Sequence, residues 1–276
     1  MSAKMKKLFE QVHKVPQVPE VVRILISQFN DPNINMKEIA KNVEKEQVIA
    51  LKVLRMVNSA YFSLPKKIAS IEEAVVMLGM AKLRTLVIAS GIVSSVPEIK
   101  DFDIKQFWLE SFCTAVTAKW LANEANCDGD VAFTAGLISG LGGILIHLAR
   151  PKDALDIEKR VAEGQARPAV EKIRLGYTSQ AVCAELCVLW KFSEELTTPV
   201  AQCGEPLQFE ELSKIACAIF IARYLSSCRY KRITPDEIMQ SIPLDVTEKL
   251  GLSGGFFTEK LEEILTLESG LEGLVS

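Results

Sequence analysis

The chain has 276 residues, of which 49% are apolar and 24% are charged, and its net charge is −3 at pH 7. These values are ordinary for a soluble globular protein of one large domain or two modest ones. A slightly acidic chain does not favour nucleic acid or an anionic membrane as a partner, and we expect neither. The basic cluster Lys4, Lys6 and Lys7 is followed by no apolar region, so we expect no signal peptide.

Cysteine usage favours a reducing compartment, and we expect a cytoplasmic protein. No CxxC spacing occurs, and several cysteines lie in apolar helical runs, where a free thiol packs like a small apolar side chain. Cys183 and Cys187 are one helical turn apart, with Cys203 as the one plausible third ligand of a soft metal. We favour core thiols over a metal site, because zinc needs four convergent ligands. The seven cysteines are Cys113, Cys127, Cys183, Cys187, Cys203, Cys217 and Cys228.

The first half of the chain predicts helices almost throughout, because its apolar residues recur with the 3.6-residue period. Asn30-Asp31-Pro32 ends the first of these helices and Asn35 caps the next. Ser70-Ile71-Glu72-Glu73 predicts a capping box, in which the Ser and Glu side chains satisfy each other's backbone donors. The predicted helices run from Pro19 to the stop at Asn30, from Met36 to Val43, from Val48 to Val57, from the capping box to Leu78, and from Ala81 to Val96.

Pro97-Glu98-Ile99-Lys100-Asp101 predicts a linker between an N-terminal helical subdomain, residues 1–98, and a second subdomain, residues 99–276. The second half also reads as helical, with no alternating pattern long enough for a strand, so the predicted fold class is all-α, a multi-helix bundle. Its predicted features are a long helix from Ile104 to Asn126, first-turn prolines at 151 and 168, a helix from the cap Thr178-Ser179 to Trp190, and a second capping box at Thr234-Pro235-Asp236-Glu237.

The segment from Val131 to Ala149 contains nineteen residues without a formal charge, the length of a membrane-spanning helix. We interpret it as one helix buried at the centre of a soluble bundle, which is apolar on all sides for the same reason. Gly136, Gly140 and Gly143 fall on one face of this helix, and we expect them to let another helix approach closely.

Two sets of motifs carry a resemblance to a known family. The motifs are Val15-Pro16-Gln17-Val18-Pro19, Asn58-Ser59-Ala60-Tyr61-Phe62, Ile68-Ala69-Ser70-Ile71 and Leu78-Gly79 in the first half, and Phe107-Trp108, Ala135-Gly136-Leu137 and Leu189-Trp190 in the second. Over about residues 12–206 the chain resembles the HDOD domain, a bacterial output module related to the metal-dependent phosphohydrolases of the HD superfamily. The resemblance implies an N-terminal helical subdomain packed on an HD-like helical subdomain.

The resemblance also implies where metal ligands would stand. The family's early His falls at Glu110, its His-Asp pair at Ser139-Gly140, its later His near Thr178, and its His-His pair at Cys203-Gly204. None of these positions keeps an imidazole, although an HD-type site needs several imidazoles and carboxylates to activate a metal-bound water. We therefore expect a vestigial pocket without catalytic residues, metal or cofactor.

Only two histidines occur in the chain, His13 and His147. His13 lies in the N-terminal helix and would belong to the other half. We expect His147 to be a hydrogen-bonded buried histidine rather than a ligand.

Three functions follow from this reading. The favoured one is a catalytically inactive regulatory module that signals through a protein partner. A metal-dependent phosphohydrolase would have to rely on the carboxylates of Glu110, Asp128, Asp130 and Glu205. A small-molecule sensor would bind a nucleotide or another small molecule in the vacated pocket without hydrolysing it.

Lys82, Arg84 and Tyr61 are candidate contacts with a ligand or partner in the first half. The two cations could meet phosphate beside a cleft, and Tyr61 could anchor packing or a partner surface. The last part, residues 233–276, predicts a helix that docks on the bundle or on another subunit, so a homo-oligomer stays open.

Overall fold

The computed structural model describes residues 2–12, 15–27, 36–100 and 102–275. Within these ranges the chain forms helices and no β-strand, which confirms the all-α prediction. His13, Asn35, Asp101 and the segment Asn30-Asp31-Pro32 lie outside the described residues, so the helix stop and the cap predicted there stay predictions.

In the first half, the observed helices agree closely with the predicted ones. Most of the apolar positions that predicted them are buried, and α6 is buried on nearly all sides, but Leu51 of α4 and Val76 of α5 are exposed. These helices are α1 (Ala3–Gln11), α2 (Glu20–Ser27), α3 (Met36–Lys45), α4 (Gln47–Val57), α5 (Ile71–Leu78) and α6 (Met80–Ser95).

In the second half, the long helix α7 lies at the centre and packs along α8 and α14. The helices are α7 (Ile104–Glu124), α8 (Gly129–Ile138), α9 (Leu141–Ala149), α10 (Pro151–Ala162), α11 (Arg167–Leu175), α12 (Ser179–Leu189), α13 (Glu194–Gln202), α14 (Lys214–Tyr230), α15 (Pro235–Ser241), α16 (Leu244–Leu250) and α17 (Gly254–Leu265). Two short 3₁₀ helices cover Pro206–Gln208 and Glu272–Leu274.

The predicted helix caps that lie within the described residues are present, one of them in altered form. Thr234 and Glu237 form the full reciprocal capping box at the start of α15. At the start of α5, the Ser70 hydroxyl accepts from the Glu73 N–H, but the Glu73 carboxylate accepts from the N–H of Ala69 instead of Ser70. That backbone hydrogen bond from Ala69, together with Lys66, holds the pKa of Glu73 below its usual value.

The predicted single helix from Val131 to Ala149 is wrong, because α8 ends at Ile138 and α9 begins at Leu141. At the break, the Ser139 hydroxyl donates to the Gly136 carbonyl at 2.8 Å, so the side chain competes with the backbone ladder. Gly129–Ala149 is the one stretch of the described residues that is long and apolar enough to span a bilayer. Of its most apolar window 78% is buried inside the fold, as in the core helix of a soluble protein.

Close helix packing depends on two glycines of this region. A Cβ atom at Gly136 would lie 3.1 Å from the Ala115 Cα of α7, as the sequence predicts. The tightest approach is at Gly142, where an added Cβ would overlap the Ser179 carbonyl oxygen of α12. Gly143 instead faces open space, so the prediction of close approach fails there.

Asn58 fixes the end of α4, as expected for a polar residue after an apolar helix. Its side-chain amide donates to the carbonyls of Leu54 and Ile68, each at 2.8 Å, and its Oδ1 accepts from the Ile68 N–H at 2.8 Å. The side chain therefore ties the end of α4 to the segment that leads into α5.

The predicted subdomains share one continuous core of buried apolar residues. The Trp190 indole N–H donates to the Pro16 carbonyl at 2.8 Å, which joins α12 to the N-terminal segment. The C-terminal helix α17 buries Phe257, Leu261 and Ile264 in the same core. The sequence left open whether this helix docks on its own bundle or on another subunit, and in the structure it docks on its own bundle.

Candidate functional site

A cleft of about 580 Å³ opens between α7, the α8–α9 turn, α10 and α14. Three residues of the predicted vestigial pocket line this cleft, namely Glu110, Ser139 and Gly140. The Glu110 carboxylate accepts a hydrogen bond from the Gln106 side chain at 3.0 Å, one helical turn earlier on α7. It is the one residue of this predicted set that brings a charge to the cleft.

The α8–α9 turn offers no metal ligand to the cleft. The Ser139 hydroxyl is engaged with the Gly136 carbonyl, and the Ser139 side chain is almost fully buried. A Cβ atom at Gly140 would lie 2.7 Å from the Phe107 ring. Because Phe107 occupies the space in which a side chain at position 140 would begin, the local packing matches glycine and disfavours an aspartate.

Arg223 of α14 brings a cation to this turn. Its Nη1 donates to the Ser139 carbonyl at 3.1 Å, at the C-terminal end of α8. That end of a helix carries unpaired carbonyls and the negative pole of the helix dipole, so a guanidinium is stabilised there. Burial raises the pKa of the Cys203 thiol, and the charge of the neighbouring Arg223 opposes this rise.

The guanidinium thus stands between two positions at which the resemblance places metal ligands, residues 139–140 and 203–204. The donor set around it does not fit a metal ion. Arginine carries no lone pair for coordination and stays protonated in proteins. Among the described residues, no three His, Cys, Asp or Glu side chains gather in an arrangement that could hold a metal.

Thr178, Cys203 and Gly204 lie outside the cleft, although the sequence places them in the vestigial pocket. Thr178 is the N-cap of α12, where its hydroxyl accepts a hydrogen bond from the Ala181 N–H. Cys203 is buried behind Arg223, and Gly204 packs against the Gln180 side chain. The neighbour of Thr178, Ser179, lines the cleft in its place.

Cys183, Cys187 and Cys203 are buried close together behind this turn. Contact with Cys183 and burial raise the pKa of Cys187 well above its usual value, and burial raises the pKa of Cys203 to about 11. Thiols bind metal as thiolates, and these two are held in the protonated form. The cluster therefore has the properties of core thiols.

The carboxylates considered for magnesium do not converge with Glu110. Asp128 caps α8 by accepting from two backbone N–H groups. Asp130 pairs with Lys119 at 2.6 Å, and Glu205 pairs with Lys172 at 2.6 Å. Each of these three is engaged away from the cleft lining.

Lys82, Arg84 and Tyr61 also lie away from the cleft. Lys82 is exposed on α6 and Arg84 is buried there, so the pair does not form a shared phosphate contact. The Tyr61 ring packs on Gly270 of the C-terminal segment. Burial and the carboxylates of Glu268 and Glu272 raise the pKa of this phenol, which places Tyr61 against the chain's own C-terminal region.

Sequence reasoning missed several polar residues of the cleft, among them Arg167, Arg223, Ser226 and Lys231. For His147 the sequence predicts a buried, hydrogen-bonded side chain. Its Nδ1 lies 2.9 Å from the Gly143 carbonyl oxygen, but the residue is only partly buried and its ring lines the cleft. Arg223 and Ser226 come from α14, beyond the motifs of the resemblance. Polar residues that interrupt the otherwise apolar α14 at the spacing of one helix face are the signal that could have found them.

A family model of the HDOD domain matches residues 15–206 of the chain. An uncharacterized protein of Treponema pallidum (strain Nichols) is 23% identical over 194 residues, which cover 69% of this chain and 38% of that protein. The chain therefore spans well under half the length of this relative.

Solved structures extend the similarity over nearly the whole chain. A Shewanella amazonensis SB2B protein, provisionally named a phosphohydrolase, is 29% identical with a TM-score of 0.80, covering 99% of this chain and 97% of that one. An HDOD domain protein of unknown function from Geobacter sulfurreducens is 20% identical with a TM-score of 0.77, covering 95% of each chain.

A Marinobacter aquaeolei VT8 protein, provisionally named a signal transduction protein, is 18% identical with a TM-score of 0.77, covering 99% of this chain and 66% of that one. The likenesses at 18% and 20% identity show the fold alone. The family model matches well over half of the chain, and this chain belongs to the HDOD domain family.

Proposed function

We propose that this protein is a catalytically inactive signalling module that acts through contacts with a protein partner. The observation that carries the proposal is Arg223, whose guanidinium donates to the Ser139 carbonyl at the position of the expected His-Asp pair. Hydrolysis of a phosphate ester by an HD-type site needs a metal-bound water. A fixed organic cation in that place cannot generate such a nucleophile, because it has neither a lone pair nor an exchangeable ligand position.

The exposed surface supports a role in protein contacts. Val48 and Leu51 lie one turn apart on the exposed side of α4, where Leu51 is 69% exposed. Val76 of the neighbouring helix α5 is 81% exposed. Neighbouring exposed apolar side chains, such as Val48 and Leu51, are typical of interaction sites.

The proposal also accounts for the provisional name of the Shewanella amazonensis relative. A fold shared with phosphohydrolases does not carry their chemistry unless the site residues are present. Among the carboxylates that a hydrolytic site would have to use here, one lines the cleft and the others are engaged elsewhere.

The test is phosphodiester hydrolysis by the full chain with added Mn²⁺, Mg²⁺ or Fe²⁺. We expect no turnover above that of a heat-denatured sample with any of these metals. Metal-dependent turnover that is abolished by Glu110→Ala and kept by Glu205→Ala would overturn the proposal. Glu205→Ala is a suitable control because that carboxylate pairs with Lys172 outside the cleft.

A further inference from the structure

We propose that the cleft is a binding site for a mononucleotide, with the phosphate held by α14 and the base held by a cluster of aromatic side chains in the same cleft. The inference rests on the proposed function, because it names the small-molecule input of the same module. The cleft volume of about 580 Å³ lies within the usual range for small-molecule sites.

One face of α14 supplies the polar wall of the cleft. Arg223, Ser226, Ser227, Tyr230 and Lys231 all line it. They follow one another at the spacing of three, four, seven and eight residues that places side chains on the same face of a helix. This face carries two cations, Arg223 and Lys231, at its two ends.

Ser226 points to a missing ligand. The residue is only 4% exposed, it lines the cleft, and its hydroxyl has no hydrogen-bond partner among the described residues. A buried hydroxyl without a partner is unfavourable by about 1–3 kcal/mol, so such groups are rare unless a ligand or water completes them. A phosphate oxygen between the two cations would accept its hydrogen bond.

The charges of the cleft leave these two cations available for an anion. Arg167 is held by the Glu158 carboxylate through two hydrogen bonds of 2.9 and 2.6 Å. Asp103 accepts from the Gln106 N–H as the cap of α7, and Glu110 accepts from the Gln106 side chain. No carboxylate within the described ranges pairs with Arg223 or Lys231.

The cleft also has an aromatic wall. Phe102, Phe107 and His147 line it, with ring centroids 6.0 Å apart for the two phenylalanines and 4.7 Å apart for Phe102 and His147. Aromatic faces bind planar bases by stacking, with little dependence on which base is present. Cations and aromatic rings that line the same cleft fit a nucleotide better than they fit either phosphate or an apolar ligand alone.

The test is isothermal titration of the full chain with AMP and GMP, and with adenosine and inorganic phosphate as the two separate halves of the ligand. We expect one nucleotide per chain, and binding of each half weaker by at least about tenfold. We also expect Lys231→Gln and Arg223→Gln to weaken nucleotide binding by about tenfold or more, because each removes a charged contact. Arg160→Gln, a surface arginine paired with Asp156, is the control and should bind like the wild type.

Thermal unfolding of each variant separates loss of the site from loss of the fold, and Lys231→Gln affects a surface residue outside the core. The inference is overturned if neither nucleotide binds. It is also overturned if Lys231→Gln and Arg223→Gln both bind nucleotide like the wild type, or if phosphate binds as tightly as the nucleotide. Analysis of the bound nucleotide separates the two proposals. If the nucleotide binds and is hydrolysed, the proposal of a catalytically inactive module is wrong. If no nucleotide binds and none is hydrolysed, only the inference of a nucleotide site is wrong.

Discussion

At the scale of single residues, the site is defined by what replaces the expected ligands. A hydroxyl that is bonded to its own helix and a glycine that faces Phe107 occupy positions 139 and 140. The charge near them comes from Arg223, which lies eighty-four residues further along the chain. The residues at positions 139 and 140 could be read from the sequence. The placement of Arg223 could not, because it depends on how α14 packs against the α8–α9 turn.

The buried Cys203 thiol beside Arg223 predicts a pH dependence of stability. Burial raises its pKa from an ordinary value of 9.0 to about 11, so the folded protein keeps the proton that the unfolded chain releases. This contribution to stability is fully present below pH 9 and is lost as the pH rises towards 11, by about 2–3 kcal/mol in the free energy of unfolding. Urea unfolding from pH 8 to 11 should show a smaller decline in Cys203→Ala than in the wild type.

Cys113→Ala is the matched control for this thiol, since Cys113 is only partly buried. Its decline between pH 8 and 11 should follow that of the wild type. Equal declines in the wild type and Cys203→Ala would show that Cys203 does not keep its proton in the folded state.

At the scale of helices, most of the fold could be predicted from the sequence. The apolar period and the caps located α4, α5, α7, α12 and α15 to within a few residues. The break between α8 and α9 could not be predicted, because a continuous apolar run is equally compatible with one helix or two. The break depends on the Ser139 hydroxyl bond and on the packing of Gly142 against α12, which are tertiary effects.

Gly142 and Gly143 are adjacent in α9 and predict opposite effects of the same substitution. Gly142→Ala should lower the free energy of unfolding by about 3 kcal/mol or more, because its methyl group would overlap the Ser179 carbonyl oxygen. Gly143→Ala should leave stability unchanged or raise it by up to about 1 kcal/mol, because its methyl group would meet open space in a helix.

Urea unfolding of the two variants beside the wild type measures this difference. If both substitutions change the free energy of unfolding by the same small amount, the prediction is wrong and α9 packs less tightly against α12 than the structure shows.

At the scale of the whole molecule, the division into residues 1–98 and 99–276 stays a prediction, whereas a continuous core joins the two parts. The C-terminal segment contributes to this union, since Gly270 packs on Tyr61 and Gly273 lies against Met56 of α4. Motifs could not predict these contacts, because the C-terminal segment lies beyond the region of the family model. We therefore propose that a ligand bound in the cleft affects a partner surface by changing the packing between the two parts.

The Trp190–Pro16 hydrogen bond tests how much one contact contributes to this union. Trp190→Phe should lower the free energy of unfolding by about 1–3 kcal/mol, because the buried Pro16 carbonyl would lose its donor. Trp120→Phe is the control, since Trp120 packs on Phe256 and its indole N–H donates to no residue of the described ranges. Chemical unfolding of both variants measures this difference. An equal loss of unfolding free energy in the two would show that the hydrogen bond does not contribute specifically to stability.

We expect the Arg223 guanidinium, and not a metal ion, to be the resident cation of the site beside Ser139. The most direct measurement is the metal content of the full chain purified without chelator and again after incubation with Mn²⁺ and removal of free metal. We expect no stoichiometric metal in either sample. One tightly bound metal ion per chain, lost in Glu110→Ala, would contradict this expectation.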